Sequence, residues 1–431
     1  MSGSKVLASE EEYNALFSRE CETYCMKIVG GIYREICLDP GSDNLYGSGL
    51  RAAIAISHGS KELSLTGFAD IELEKKIRIL SEKFGFKTDI QLRDNEICFI
   101  YETPISLPRF YGFRDESEPE STLIISGKNV LVFSMLESRI DVSADRLVID
   151  PQGVSKIEGK INWSTTHLAI VANRRELIQL LKIKDEMSAD LLAERAREKF
   201  KAEVVVVKCG ALGAVLSDSG KIVHIDAYRT PRVNPIGTGD IFSGVFAYYW
   251  AELGTSSEVA ATNASRATAE WVLNGPLQVI NRSGSTTAPN AQSAIFGNVS
   301  TIYLAAPFFT VSERWLVNLC RNAIIDLGGT VFSPLHDVGT GVSEAVVSRD
   351  LVGLNQSKSV LALLDGMDPG TLFEVGYGAS LNKEIVVYIG EEKSVNLTML
   401  NGVHAHIHYD LASAVYDAIW RGTETTANSK R

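Results

Sequence analysis

The feature that most constrains this chain is a rhythm of short β-branched runs and helix-forming stretches, which occurs twice along its 431 residues. Apolar runs such as NVLVFSML (129–136) and EVVVVKCGALGAVLS (203–217) alternate with helical stretches such as ADLLAERAREKFKA (189–202). This alternation is typical of parallel strands joined by crossover helices. The sequence therefore predicts an α/β fold.

One stretch interrupts the rhythm. Residues 276–299 lose hydrophobic periodicity and gather Gly, Ser, Thr, Asn and Pro, which is the composition of a linker. A chain of this length also exceeds one ordinary hydrophobic core, so we predict two domains. The predicted segments are an N-terminal extension (1–25), a first domain (26–275), the linker (276–299), a second domain (300–422) and a polar tail (423–431).

In the second domain the rhythm restarts with fewer elements. Strands are predicted over TIYLAAPFF (301–309), TVFSPL (330–335), SVLALLD (359–365) and EIVVYIG (384–390), and LASAVYDAIWRG (411–422) is predicted to be the last helix. Four parallel strands are sufficient for a small doubly wound domain.

Composition and charge narrow the classes of partner. Hydrophobic residues make up 45% of the chain and charged residues 22%, the balance of a soluble globular protein. The formal net charge is −11 without a Lys/Arg tract, which argues against nucleic-acid and membrane partners because both need a cationic face. Small phosphorylated ligands need only local donors.

The N-terminus and the cysteines indicate a cytoplasmic protein. The stretch MSGSKVLASEEEYNALF is polar and acidic, unlike a signal peptide, and no apolar run approaches the roughly 20 residues that span a bilayer. The six cysteines are scattered without a CxxC pair, so we expect free thiols in a reducing compartment.

The first chemical motif is NPIGTGD (234–240), which precedes the apolar stretch IFSGVFAYYWAELG. Two glycines at a helix N-terminus expose backbone N–H groups, which can stabilise the charge of a phosphoryl group in transit. Asp240 at this turn is placed to accept the proton of an attacking hydroxyl. The alternative is an ordinary glycine turn before a helix.

The motif resembles the G-A-G-D signature of ribokinase-like (PfkB) carbohydrate kinases, with Thr238 in place of the usual Ala. Upstream, Asn173 and Glu176 match the N-x-x-E of that family, Lys208 and Gly210 match its K-x-G turn, and IDPQG resembles its D-x-Q-G strand end. The likeness extends from about residue 26 to 275. It implies a ribokinase-like three-layer domain that uses ATP and Mg²⁺ to phosphorylate a sugar or nucleoside hydroxyl.

The resemblance also implies roles for these residues. Asp240 would be the base, and Gly237, Thr238 and Gly239 would form the anion hole. The cofactor side would be formed by Asn173, Glu176, Lys208 and Gly210, with Glu176 reaching magnesium indirectly.

The acceptor end departs from the family pattern. Glu35 stands where the family has an Asp, and YGSGLRAAIA (46–55) lacks the Asn of the G-G-x-x-x-N motif. Glu35 therefore remains a candidate acceptor-binding residue. Either the acceptor is unusual, or the domain binds a nucleotide or nucleoside without turning it over.

The second motif is LLDGMDPGTLFEVGYG (363–378), which holds Asp365, Asp368 and Glu374 within ten residues. Glu374 is expected near the first turn of a helix at the carboxyl edge of the sheet, where α/β proteins bind ligands. A carboxylate there can attack a sugar carbon while a second acid protonates the departing base, as N-glycoside cleavage requires. The alternative is a surface turn followed by a solvated helix.

This segment and its neighbours occur in the order seen in nucleoside 2-deoxyribosyltransferases, over about residues 300–420. The resemblance implies that Glu374 is the nucleophile and that Asp368 lies near the sugar. It implies that Asp350 contacts and protonates the base, and that Tyr303 orients the nucleophile.

The same resemblance assigns the walls of the site. Phe308 and Phe309 would flank the base, and Ala306, where the family has Gly, would narrow the pocket. Asn396 matches an Asn that family members lend to a neighbouring subunit, so we expect a homo-oligomer.

The two resemblances predict a bifunctional enzyme of nucleoside metabolism. Its partners would be a nucleoside or nucleotide and a sugar, and its second domain would need no cofactor. The alternative is a nucleosidase whose kinase-like domain is a non-catalytic module for ligand sensing and assembly. The sequence leaves hydrolysis and transfer open for the second domain.

Overall fold

We describe a computed structural model of the chain. It describes residues 26–112, 121–153, 159–183, 187–275, 279–280, 292–294, 300–339, 341, 344–390 and 397–423. The predicted N-terminal extension, most of the linker and nearly all of the tail lie outside these ranges, as do Cys21 and Cys25. The other four cysteines carry free thiols.

The described residues up to 294, which we call the first half of the chain, contain fifteen strands and six α-helices. The strands are β1 (Met26–Val29), β2 (Arg34–Cys37), β3 (Ser42–Leu45), β4 (Leu63–Ala69), β5 (Lys87–Leu92), β6 (Cys98–Tyr101), β7 (Arg109–Tyr111), β8 (Ser121–Phe133), β9 (Ser138–Asp150), β10 (Ile161–Asn173), β11 (Val204–Lys208), β12 (Ala214–Asp218), β13 (Lys221–Ile225), β14 (Ala227–Arg229) and β15 (Gln292–Ala294). The helices are α1 (Gly47–Ile56), α2 (Ile71–Phe84), α3 (Arg174–Leu181), α4 (Ala189–Phe200), α5 (Thr238–Ala247) and α6 (Ser257–Asn274).

Nine of these strands form one sheet in the order β13-β12-β11-β10-β9-β8-β1-β4-β5. Within this order, the seven neighbouring strands β11-β10-β9-β8-β1-β4-β5 are all parallel. At the other edge, β12 pairs antiparallel with β11, and β13 pairs antiparallel with β12. In β11, Val204 and Val206 pack on the side of α1, α5 and α6, whereas Val205 and Val207 pack on the side of α3 and α4. The run of valines is explained by this burial on both faces. The predicted three-layer α/β domain is therefore confirmed.

A second sheet, β3-β2-β6-β7, lies apart from the main sheet. It contributes Glu35 from β2 and Tyr101 from β6 to a cleft that also reaches the N-terminus of α5. This small sheet therefore covers one side of the first candidate site.

The second half forms a separate parallel sheet in the order β17-β16-β18-β19-β20. Its strands are β16 (Ile302–Ala305), β17 (Val331–Phe332), β18 (Ser359–Leu363), β19 (Glu384–Tyr388) and β20 (His406–His408). Its helices are α7 (Val311–Asp326), α8 (Glu344–Gln356), α9 (Pro369–Ser380), α10 (Thr398–Gly402) and α11 (Leu411–Gly422). One apolar cluster includes α7 and α11 and another includes α8, α9 and α10, so both faces of the sheet are covered. The predicted doubly wound domain is confirmed, with one strand more than expected.

The two halves share a hydrophobic core. Ala211, Ala227 and Val233 of the first half belong to the same buried cluster as α11. The indole Nε1 of Trp420 donates a hydrogen bond of 2.8 Å to the carbonyl oxygen of Ala211. None of the helices in the described ranges is long and apolar enough to cross a bilayer.

Candidate active sites

The second-half site is built around the start of α9. Pro369 occupies the first helical turn, and the Asp368 carboxylate accepts hydrogen bonds from the backbone N (2.7 Å) and Oγ1 (3.0 Å) of Thr371. A proline at the first helical position and an aspartate cap are both preferred at helix N-termini. This local structure fixes where Glu374 lies on the helix.

Glu374 of α9 is hydrogen-bonded to Tyr303 of β16. The phenolic oxygen of Tyr303, a fully buried residue of β16, donates a hydrogen bond of 2.6 Å to Oε1 of Glu374. Burial raises the pKa of Glu374 to about 7, and the charges of Asp350 and Asp368 raise it further, against the lowering effect of the Tyr303 bond. The predicted nucleophile is therefore half-buried and close to both predicted acids.

Asp350 projects from α8 with an unsatisfied acceptor. Its Oδ1 atom is buried and has no hydrogen-bond partner among the residues that the structure describes. Burial raises its pKa, with a smaller opposing effect from Arg349. A raised pKa makes this carboxyl group a better proton donor than an ordinary aspartic acid, and its Oδ1 atom, unpaired within the described residues, is free to contact a ligand.

The remaining predicted residues of this site have mixed outcomes. Phe308 is half-buried and Phe309 is 72% exposed, and their rings stack with centroids 5.6 Å apart. Ala306 is buried, and Asp365 accepts a 2.7 Å hydrogen bond from the backbone N of Gly390, which gives it a loop-bracing position. Asn396 lies outside the described residues, so the expectation of a shared site stays a prediction.

The first-half site is a cleft of about 410 Å³ at the N-terminus of α5. Gly237 precedes the helix with φ of +73°, and Asp240 lies buried in the first turn. The backbone N of Thr238 donates to the carbonyl oxygen of Pro235 at 3.1 Å, and Thr238 Oγ1 donates to the same oxygen at 2.9 Å. Part of the predicted anion hole is therefore already engaged within its own turn.

Arg51 is the functional residue that the sequence reasoning missed. Its guanidinium is almost fully buried and bridges two carboxylates, with a 2.6 Å contact to Asp240 Oδ2 and a direct hydrogen bond to Glu35 Oε2. A Cβ on Gly237 would lie 2.0 Å from the guanidinium carbon, so Arg51 fills the space above the glycine turn. The signal in the sequence was a lone cation within the apolar helix GSGLRAAIAI, since an arginine is rarely buried unless it is paired.

The other oxygens of the two carboxylates are also engaged. Gln152 Nε2 donates to Asp240 Oδ1 at 3.1 Å, and the backbone N of Gly47 donates to Glu35 Oε1 at 3.0 Å. Burial raises the pKa of Asp240 to about 6; Arg51 lowers it, whereas Asp150 and Glu35 raise it. Asp240 is therefore held by partners on both of its oxygens.

The cofactor side of the cleft contains a second buried charge cluster. Lys208 Nζ lies 2.6 Å from Oδ2 of Asp150, a fully buried carboxylate that Ser243 Oγ also approaches at 2.6 Å. Burial lowers the pKa of Lys208, but the charges of Asp150 and Glu176 raise it by more. Sequence analysis named IDPQG without assigning Asp150 a role, and the structure makes it the partner of Lys208.

Asn173 and Glu176 form a reciprocal cap at the start of α3. The backbone N of Asn173 donates to Glu176 Oε2 at 2.7 Å, and the backbone N of Glu176 donates to Asn173 Oδ1 at 2.8 Å. Burial, followed by the charge of Asp150, raises the pKa of Glu176 to about 7. Within the described ranges, no group of three or more His, Cys, Asp or Glu side chains has a metal-binding arrangement.

Family models match both halves of the chain. Residues 141–278 match the pfkB family carbohydrate kinases, and residues 302–412 match the nucleoside 2-deoxyribosyltransferases. No curated protein is significantly similar in sequence.

Among solved structures, similarity is to sugar and nucleoside kinases at low identity. A ribokinase from Thermotoga maritima is 17% identical, covering 61% of this chain and 97% of its own, with a TM-score of 0.43. The ribokinase of Arabidopsis thaliana complexed with ribose and ATP is 15% identical, covering 61% and 97%, with a TM-score of 0.44. The adenosine kinase of Sinorhizobium meliloti is 13% identical, covering 61% and 98%, with a TM-score of 0.45.

The predicted resemblances are confirmed by the two family matches, which fall on the two sheets in the predicted order. Both families are named for enzymatic activities. The chain thus combines a region similar to the pfkB family carbohydrate kinases with a region similar to the nucleoside 2-deoxyribosyltransferases.

Proposed function

We propose that the second domain cleaves or exchanges the N-glycosidic bond of a nucleoside through Glu374. The observation that carries this proposal is the 2.6 Å hydrogen bond between buried Tyr303 and Glu374, beside two further carboxyl groups. A tyrosine hydroxyl orients a carboxylate without neutralising it, which is what a nucleophile needs. The matched family supports the same chemistry.

In the proposed reaction, an oxygen of ionised Glu374 forms a bond to the anomeric carbon of the sugar. The bond from that carbon to the base nitrogen breaks, and its electron pair leaves with the base. Asp350, whose Oδ1 atom has no hydrogen-bond partner within the described residues, delivers a proton to the departing base. Water or a second base then attacks the same carbon and gives its proton to the Asp350 carboxylate. The bond from that carbon to Glu374 breaks, which completes hydrolysis or transfer.

For the first domain, the buried Arg51 favours the ligand-binding alternative over phosphoryl transfer. ATP and Mg²⁺ fit the cleft only in part. Lys208 and the amides at the start of α5 would meet phosphate groups, and Glu176 would reach a metal through water. The guanidinium of Arg51, however, fills the space above Gly237 and contacts Asp240, the residue that would act as the base.

Phosphoryl transfer remains the second candidate because one observation favours it. The pKa of Asp240 is raised to about 6 by burial, which brings it near the operating range of a general base. ATP with magnesium, when bound, would supply the phosphoryl group and neutralise its charge. Arg51 would first have to leave Asp240 for this chemistry to proceed.

Two assays test these proposals. In the first assay, purified protein is incubated with ribo- and deoxynucleosides, and base release is followed by chromatography. The reaction is then quenched with acid, and the mass of the protein and its peptides is measured by mass spectrometry. We expect base release and a transient mass increase of one sugar on a peptide that contains Glu374. Base release that persists in Glu374→Ala protein would contradict the nucleophile assignment.

The second assay follows ATP consumption over a panel of sugars and nucleosides, with the wild type and Arg51→Asn. Binding of ATP without consumption in either protein supports the ligand-binding role of the first domain. Consumption by the wild type that Asp240→Asn abolishes would instead establish the kinase.

A further inference from the structure

A narrow slot next to the first-domain cleft is lined by both halves of the chain. It has a volume of about 110 Å³ and a mostly apolar lining. The first half contributes Val233, Phe242 and Val272 to this slot. The second half contributes Tyr416 and Trp420, both from α11.

Polar contacts hold α11 against this slot. The Trp420 indole donates to the carbonyl oxygen of Ala211 at 2.8 Å, as described above. The backbone N of Val233 donates to Ser413 Oγ at 2.8 Å, and Arg229 Nη2 donates to the carbonyl oxygen of Trp420 at 2.8 Å. Because Tyr416 and Trp420 are also buried in the shared apolar cluster, the second-domain wall of the slot has a fixed position.

The slot adjoins the polar cleft. Lys208, Gly210, Thr238, Gly239 and Tyr416 line both spaces. A planar aromatic base matches an apolar, aromatic-lined slot, and phosphate groups match the adjoining lysine and the N-terminus of α5. The apolar lining of the slot and the polar lining of the cleft therefore suit the base and the phosphates of a nucleoside di- or triphosphate.

The second domain also reaches the phosphate end of the cleft. A Cβ on Gly210 would lie 2.2 Å from Cδ2 of Leu327, so the end of α7 lies directly over this turn. Asp326 lines the cleft, and its Oδ2 atom lies 4.0 Å from Nη1 of Arg175 in the first domain. A bound phosphate group would compete with Asp326 for Arg175 and would be repelled by the Asp326 carboxylate.

We propose that the second domain completes the nucleotide pocket of the kinase-like domain, so that a bound nucleoside di- or triphosphate is held between the two halves. Tyr416 and Trp420 contact the base, and the negative charge of Asp326 lowers the affinity of the cleft for the phosphate groups. This inference deepens the proposed ligand-binding role of the first domain. It does not depend on N-glycosidase activity.

The test uses the intact chain and ADP, with AMP and inorganic phosphate as comparison ligands. ADP is titrated by calorimetry and by tryptophan fluorescence. We expect ADP to bind and to change the fluorescence, and Trp420→Phe to lose most of that change. The matched control is Trp315→Phe, since Trp315 is 45% exposed on α7 and does not line the slot.

Two further variants separate the two ends of the pocket. Tyr416→Leu should weaken ADP binding about tenfold, because a stacking contact with the base contributes roughly 1–3 kcal/mol and 1.4 kcal/mol is a factor of ten. Asp326→Asn should strengthen binding a few-fold for ADP and less for AMP. The control Tyr409→Leu, at an exposed position just before α11, should leave binding unchanged.

Three results would overturn the proposal. They are the absence of ADP binding to the wild type, a fluorescence change that survives in Trp420→Phe, and equal ADP affinity in the wild type, Trp420→Phe and Asp326→Asn. Because Asp326 is a half-exposed surface residue, its variant keeps the test decisive if Tyr416→Leu fails to fold. Base release from nucleosides is measured in parallel, so that failure of the N-glycosidase proposal is seen separately.

Discussion

The candidate site of each domain holds one key carboxylate, and these two carboxylates, Glu374 and Asp240, have different partners. Burial raises the pKa of both, to about 7 and about 6. Glu374 is held by the neutral hydroxyl of Tyr303, whereas Asp240 is held by the guanidinium of Arg51. A neutral donor leaves the negative charge available for attack, and a cationic donor neutralises it. The surroundings of a carboxylate, more than its motif, therefore decide whether it is ready for chemistry.

The largest expected effect is on catalysis by Glu374. Glu374→Gln should lower base release at least about 1,000-fold, because the amide cannot form the covalent intermediate. Rates are measured at saturating nucleoside by chromatography. The matched control is Glu344→Gln, an exposed residue in the first turn of α8, which should keep the wild-type rate.

The next effect is on stability, at Arg51. Arg51→Met should lower the free energy of unfolding at pH 8 by about 3 kcal/mol, because it leaves two buried carboxylates without their cation. The loss should shrink at pH 5, since Arg51 lowers the pKa of Asp240 and its removal lets that carboxyl keep a proton at higher pH. The free energies of unfolding of the wild type and the variant are measured by urea unfolding at both pH values. Arg34→Met breaks an exposed ion pair with Asp43 and should have a much smaller effect.

The substitution Tyr303→Phe tests whether the hydrogen bond from the neutral Tyr303 hydroxyl supports catalysis by Glu374. A hydrogen bond to a charged group contributes roughly 1.5–3 kcal/mol, so base release should fall roughly tenfold to a hundredfold. The Tyr303 bond lowers the pKa of Glu374, and attack needs the ionised form. The acid limb of the pH–rate profile should therefore lie near pH 7 in the wild type and move upward in the variant. A profile that stays in place would separate Tyr303 from the ionisation of Glu374.

The raised pKa of Glu374 also predicts a gain of stability when its charge is removed. The folded state keeps the proton up to about pH 7, whereas an ordinary glutamic acid loses it near 4.5, so wild-type stability falls as pH rises between these values. Glu374→Gln should be more stable than the wild type by about 2 kcal/mol at pH 8 and equal to it below pH 4. Thermal unfolding at the two pH values gives the comparison.

The smallest expected effect is on base binding. Phe309→Ala should raise KM about threefold with kcat unchanged, because its exposed ring is proposed to cover the base without touching the reacting atoms. Phe373→Ala, at a 59% exposed position whose ring stacks on Tyr377, is the control for loss of an exposed ring. A fall in kcat in the Phe309 variant would contradict this division of roles.

The strands were largely predictable from the sequence, because buried parallel strands show as β-branched runs. The pairing of Tyr303 with Glu374 was expected from the resemblance to nucleoside 2-deoxyribosyltransferases, and no local pattern specifies it. Local rules also explain the caps at Asn173 and Asp368.

The role of Arg51 and the shared slot were not predictable in the same way. Arg51 contacts Asp240, which is 189 residues away in the chain, and no local pattern specifies such a pairing. The contact between Trp420 and Ala211 spans 209 residues and depends on how two complete sheets pack against each other. Sequence periodicity predicts that α11 has an apolar face, but it does not reveal that this face packs against residues of both halves.

Helix α11 packs against both halves of the chain. On one side Ser359 Oγ donates to its Ala418 carbonyl oxygen, and on the other Trp420 and Tyr416 close a pocket in the first half. A substitution in this helix therefore changes the fit of both halves at once. A destabilising change in one half at this contact is therefore expected to need a compensating change in the other. Swapping in a relative's second domain would need α11 and the surface beneath it to be exchanged together.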